Sequence, residues 1–235
     1  ENGPMGIMEL SASLGFHKST VHRLVASLQY MGYICQDEES LKYALSLKFL
    51  EIGSKILEQT NMASLIHPSL KKLSEQTGET VHLVRREGTE AVYIDKVEST
   101  VSSIRMVSRV GSRIPLYCSG VGKALLAELP DPEIEDIWNS SEITPLTPYT
   151  VTSLSDLMDR IRGVREAGYA MDDEENEEGV RCIAVSIPDY HKEPVYALSI
   201  SAPVSRMTDA RIAELSTDVL TFKKDLEKTL GFSRS

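Results

Sequence analysis

The period of the apolar residues changes several times along the chain, and each change marks an element. "MELSASLG" is a short helical run closed by Gly15, a residue suited to the left-handed end of a helix. In "FHKSTVHRLVASLQYMGY", Val21, Leu24, Val25, Leu28 and Met31 fall on one helical face, and Gly32 ends the run. "YICQDEESLKYALS" reads as strand, polar turn at Asp37–Ser40, strand. Leu47, Leu50, Ile52, Ile56 and Leu57 then predict a helix over 47–60 that links two domains.

Beyond residue 63 both periods occur. "LIHPSLKKLSEQTG" is helical up to Gly78. "ETVHLVRREGTEAVYIDKVES" is a hairpin turning at Glu87–Thr89, and 103–109 reads as a strand. "SGVGKALLAELP" enters a helix that stops before Pro130. Ser153, with Asp156 three residues on, starts a helix whose core side is Leu154, Leu157, Met158, Ile161 and Val164 and which closes at Gly168. Strands follow at about 179–187 and 194–202, then a last helix at about 207–230. The fold class is α+β: residues 1–46 a winged helix-turn-helix, 47–63 a linker helix, 64–235 a domain with an antiparallel sheet flanked by helices.

The two late strands each carry one bulky and one small face. Ile183, Val185 and Ile187 oppose Cys182, Ala184 and Ser186; Tyr196, Leu198 and Ile200 oppose Val195, Ala197, Ser199 and Ser201. Ser199 and Ser201 thus share a face lined by small polar groups, with room for a small molecule.

Charge sharpens the first segment. The 235 residues carry a net charge of −10, which repels nucleic acid at long range. Yet Leu10 to Gln36 holds no Asp or Glu. On its second helix Lys18, Ser19, Thr20, His22, Arg23 and Ser27 face away from the apolar stripe. Hydroxyls and cations near a helix start suit phosphates and base edges. Helix, glycine turn, helix and hairpin together give the order of a winged DNA-binding domain.

Other chemistry is weaker. "CSGVGKALL" has Gly122–Lys123, but Tyr117 and Ala124 stand where a phosphate loop needs Gly and Ser or Thr. Gly120 and Gly122 leave amides free at a helix start, which predicts an anion site. Cys118 lies beside Ser119, but no His with a neighbouring acid activates it. His67, His82 and His191 read as isolated surface or partly packed residues. The run Asp172–Glu178, six acids in seven residues, reads mainly as a solvated loop without calcium-loop spacing. Cys35, Cys118 and Cys182 are scattered, which fits neither a disulfide framework nor a zinc site and suits a reducing cytoplasm. No apolar run approaches the roughly 18 residues of a membrane span, and the start lacks a secretory pattern.

In "MELSASLGFHKSTVHRLVASLQYMGYI", "KYALSLKFLEIG", "RIPLYCSGVGKALLA", "REAGYAMDDEENEEGVRCIAVSIPD" and "ALSISAP", the chain resembles the IclR family of bacterial transcription regulators over almost its whole length. The resemblance implies a winged helix-turn-helix and a GAF-like effector domain. It also implies a dimer or dimer of dimers on operator DNA and no catalytic step or cofactor. It places the recognition helix at Lys18–Tyr30, so that with the outward face read above the expected DNA contacts are His17, Lys18, Ser19, Thr20, His22, Arg23 and Ser27. The effector set it implies is Met106, Ser119, Gly120, Val121, Asp172, Cys182, Ser199 and Ser201. The family has a further helix ahead of "GIMELS", packed beneath the recognition helix; the sequence begins after it. The wording of "LYCSGVGKALLA" and "DDEENEEGVRCIAV" is most similar to the subgroup that senses ketodeoxygluconate. The expected function is a ligand-responsive regulator of a catabolic operon, sensing an organic or sugar acid with one carboxyl beside several hydroxyls. The rivals are a cysteine-dependent enzyme and a protein-interaction module built on the winged helix.

Overall fold

The computed structural model describes residues 3–52, 62–99, 107–189, 191 and 193–230. The chain divides into two compact units, Glu1–Asn61 and Met62–Ser235.

In the first unit, α1 (Ile7–Leu14) ends at Gly15, whose φ of 68° is the left-handed conformation that glycine takes without Cβ strain. Three residues later α2 (Lys18–Tyr30) begins. β1 (Ile34–Gln36) pairs antiparallel with β2 (Tyr43–Leu45) around the predicted turn. Met5 and Tyr43 exchange backbone hydrogen bonds of 3.0 and 2.9 Å, which ties the segment before α1 to the hairpin. Of the five apolar positions expected to form the inner face of α2, only Val21 and Val25 are buried. Leu24, Leu28 and Met31 instead line an open apolar groove with Leu10, Leu14 and Leu45. No described element packs over these three, so the inner face of α2 is only half used. Residues 48–52 are helical; the rest of the expected linker helix, 53–61, lies outside the described residues.

The second unit is built on an antiparallel six-stranded sheet. Its strands are β3 (Thr80–Glu87), β4 (Glu90–Val97), β5 (Arg113–Pro115), β6 (Ala170–Asp173), β7 (Val180–Ile187) and β8 (Tyr196–Pro203), in the order β5-β4-β3-β8-β7-β6. Strand alternation decides the packing. The bulky face, with Val81, Leu83, Ile183, Val185, Leu198 and Ile200, packs on α3 (Met62–Thr77) and α7 (Asp209–Thr229). The small-residue face, with Ala170, Ala184 and Ala197, lets the short helix α4 (Gly120–Leu126) settle closely upon it, every residue of α4 being buried. α5 (Asp131–Asn139) and α6 (Leu154–Ala167) extend that side. The expected cap of α6 is formed, with Ser153 Oγ accepting from the Asp156 amide.

The strand expected at 103–109 is not found over 107–109, which are irregular; 103–106 lie outside the described residues. The strand on that edge is β5, where Ile114 pairs with Ala91. α5, β5 and β6 were not expected. The two strands are three and four residues long, too short to show a period.

Candidate functional site

Two regions carry functional groups, one in each unit. On α2, His17, Lys18, Ser19, His22, Arg23 and Ser27 are exposed and Thr20 is half-buried. Neither Lys18 nor Arg23 pairs with a carboxylate among the described residues, so both charges are free for an anionic partner. His17 is the N-cap: its carbonyl accepts from the Thr20 and Val21 amides. Ser27 Oγ donates to the Arg23 carbonyl at 3.0 Å, which ties that hydroxyl to the helix itself.

In the second unit the sheet register gathers the pocket. Cross-strand partners share a face. One row runs Asp172, Cys182, Ser201; the next runs Ala170, Ala184, Ser199, His82. α4 roofs these rows. A cavity lies between, lined among others by Ser119, Gly120, Val121, Asp172, Cys182, Ser199 and Ser201. Seven of the eight expected effector residues thus surround one space; Met106 lies outside the described residues. The space reachable by the centre of a water-sized sphere is about 40 Å³, enough for about three waters.

Three expectations are corrected. The amides at the start of α4 are not all free. Ser119 Oγ accepts from the Gly122 amide at 3.1 Å and donates to the Pro115 carbonyl at 2.6 Å. The Ser119 hydroxyl is a helix cap rather than a free ligand group. The acidic run is not simply a solvated loop. Asp172 and Glu175 are buried, 6% and 1% exposed, and Glu175 pairs with the buried Lys123 of α4 and with Arg160. The lysine of the phosphate-loop look-alike therefore points into the core, not at a ligand.

The third correction is His82, which is not isolated. It is 3% exposed and sits at the centre of the polar wall. Nε2 lies 2.7 Å from Ser108 Oγ, and Nδ1 lies 3.4 Å from both Ser199 Oγ and Ser201 Oγ. The Tyr93 ring meets it edge-on at 5.1 Å. Burial, helped by the charge of Lys96, pulls its pKa down to about 3, so the ring is neutral, with one nitrogen a donor and the other an acceptor. The sequence carried a signal for it: in "TVHLV", His82 alternates with Val81 and Leu83 onto the polar face.

The remaining polarity is carboxylic. Burial raises Asp172 to about 7. Cys118 is pushed up to about 12, and Cys182 higher still, both chiefly by burial, so both thiols hold their protons at neutral pH and are poor nucleophiles. Among the described residues no group of three or more His, Cys, Asp or Glu could hold a metal ion, and no helix is long and apolar enough to cross a membrane.

A helix-turn-helix with an acid-free outer face, joined to a domain with a small buried polar cavity, defines a DNA-binding regulator with an effector domain. The model of the IclR C-terminal domain of bacterial transcriptional regulators matches residues 54–227, and that of the IclR helix-turn-helix domain matches residues 1–38. The chain belongs to the IclR family of bacterial transcriptional regulators, a family of regulators rather than enzymes. The chain is 36% identical to the acetate operon repressor of Salmonella typhimurium, over 99% of this chain and 85% of that protein. It is 37% identical to the regulator KdgR of Escherichia coli, over 99% and 88%. The crystal structure of Thermotoga maritima IclR superimposes with a TM-score of 0.69 at 33% identity, covering 98% of this chain and 93% of that one.

Proposed function

We propose that the protein represses a catabolic operon in the cytoplasm. It does so as a dimer or dimer of dimers that reads paired operator half-sites, and it responds to a small hydroxylated organic acid. Residues 1–46 hold the DNA, with Lys18 and Arg23 on phosphate and base edges. Residues 47–63 link the units, and 64–235 hold the effector. A single short recognition helix contacts few base pairs, and two-fold pairing of half-sites supplies the missing specificity. The likeness to KdgR favours a ketodeoxygluconate-type sugar acid.

The observation that carries this reading is the cavity wall of His82, Ser108, Ser199 and Ser201, four neutral groups in mutual hydrogen bonds. Such a set can exchange its internal bonds for a ligand's hydroxyls at little net cost.

The double variant Ser199→Ala/Ser201→Ala tests the reading. It removes two partners of a bound ligand, about 1–3 kcal/mol each, and calorimetric titration of ketodeoxygluconate should weaken by at least about tenfold, with operator affinity unchanged. Equal effector affinity in the variant and the parent would move the pocket elsewhere.

A further inference from the structure

We propose that the pocket takes up its effector acid together with one proton, which is held on Asp172 and donated to the effector's carboxylate. This rests on the reading above that the effector is a carboxylic acid. The geometry carries it in three steps.

First, among the described residues no lysine or arginine lines the cavity. The nearby cations are engaged: Lys123 with Glu175, Arg160 with Glu175, and Lys96 with Glu98 and the Ser108 carbonyl. Second, the lining already contains two carboxyl groups, Asp172 and Glu177, and the start of α4 has lost the Gly122 amide to its Ser119 cap. A bare carboxylate entering here meets the buried Asp172 charge, with no counter-ion among the described residues. Third, Asp172 is placed to hold a proton. One oxygen, Oδ1, accepts from the Glu175 and Asn176 amides at 2.8 and 3.3 Å. The other has no hydrogen-bond partner among the described residues, and the residue lines the cavity. An acid proton there gives a second carboxylate a charge-sharing donor, and the pair carries one negative charge instead of two.

The groups around Asp172 fit this role. Cys182 and Tyr93, protonated, and neutral His82 face the cavity with it. Burial raises its affinity for a proton and the Glu175 charge adds to this; together they outweigh Lys123 and the Glu175 and Asn176 amides, so the empty pocket is half protonated near pH 7. A neighbouring effector carboxylate raises that affinity further. The proton leaves the buffer acid, forms an O–H bond on an Asp172 carboxyl oxygen and is donated from there as a hydrogen bond; the effector itself undergoes no covalent change. Below about pH 6 the pocket is already protonated and affinity is flat. Above about pH 8 each binding event takes up close to one proton, and affinity falls about tenfold per pH unit.

The test is calorimetric titration of ketodeoxygluconate and of gluconate into the full chain, across about pH 6 to 9 and in phosphate and Tris, whose ionisation heats differ. We expect proton uptake near one at alkaline pH. Asp172→Asn should abolish the uptake and the slope, and should bind at about pH 8.5 more tightly than the parent by tenfold or more. Ser199→Ala/Ser201→Ala should weaken binding at every pH yet keep the uptake. The parent protein alone suffices: binding whose heat is the same in both buffers and whose affinity is level from pH 6 to 9 overturns the proton coupling and leaves the pocket assignment standing. Failure of both acids to bind even at pH 6 overturns both.

Discussion

Replacing Lys123 alone by methionine should cost the effector unit about 3–5 kcal/mol, the loss seen when one partner of a buried ion pair is removed. Lys123 and Glu175 are each about 1% exposed. With the ammonium gone, Glu175 keeps, among the described residues, only Arg160 at 3.2 Å, a side chain 48% exposed, and its Oε2 has no partner among them. The double variant Lys123→Met/Glu175→Leu removes both charges and should regain most of the loss, because two buried charges replaced by packed apolar groups are often neutral or better. Urea unfolding of the three proteins measures this. A single variant as stable as the parent would mean that the pair contributes nothing, and that the loop from Asp173 to Gly179, one wall of the cavity, is held by other contacts.

Gly122→Ala should prevent the effector unit from folding as described. A Cβ at this position would sit 2.2 Å from the Leu116 carbonyl oxygen, 2.3 Å from its Cα and 2.5 Å from its carbonyl carbon. These are backbone atoms and cannot swing aside, so the cost exceeds the roughly 1–3 kcal/mol of ordinary over-packing. Gly120 is different. Its Cβ would meet the Cys182 sulfur at 2.8 Å and the Asp172 amide at 3.3 Å, so a larger residue there intrudes on the cavity wall and should cost effector binding before it costs the fold. Gly163, exposed in α6 with nothing within 4 Å, is the control: alanine there should stabilise by about 0.5–1 kcal/mol. Thermal melts of Gly122→Ala, Gly120→Val and Gly163→Ala rank the three, and a normal melt for Gly122→Ala would contradict the packing of α4.

Much of this was legible in the sequence, for local reasons. Gly15 and Gly168 end helices by a φ that glycine favours, and Ser153 caps one; each needs only its own few residues. The two faces of β7 and β8 follow from alternation. What sequence could not give was which strand lies next to which. His82 joins the pocket because β3 sits beside β8, placing it opposite Ser199, and no local pattern encodes that neighbour. Glu175 looked like part of a solvated acidic run because its partner, Lys123, lies 52 residues away. Ser119 looked like a ligand group because capping and ligand binding ask for the same small hydroxyl at a helix start.

The most direct test of the central claim, that the acid-free helix of an acidic sensor reads DNA, is an anisotropy titration over a range of salt concentrations. It uses the full-length protein and a duplex selected from a random-sequence pool. Lys18→Ala should weaken binding to all sequences and lower the salt slope by about one. Arg23→Ala should cost about 1–3 kcal/mol on the selected duplex and relax its sequence preference. Parent-like affinity and slope in both variants would contradict the assignment of α2 to DNA.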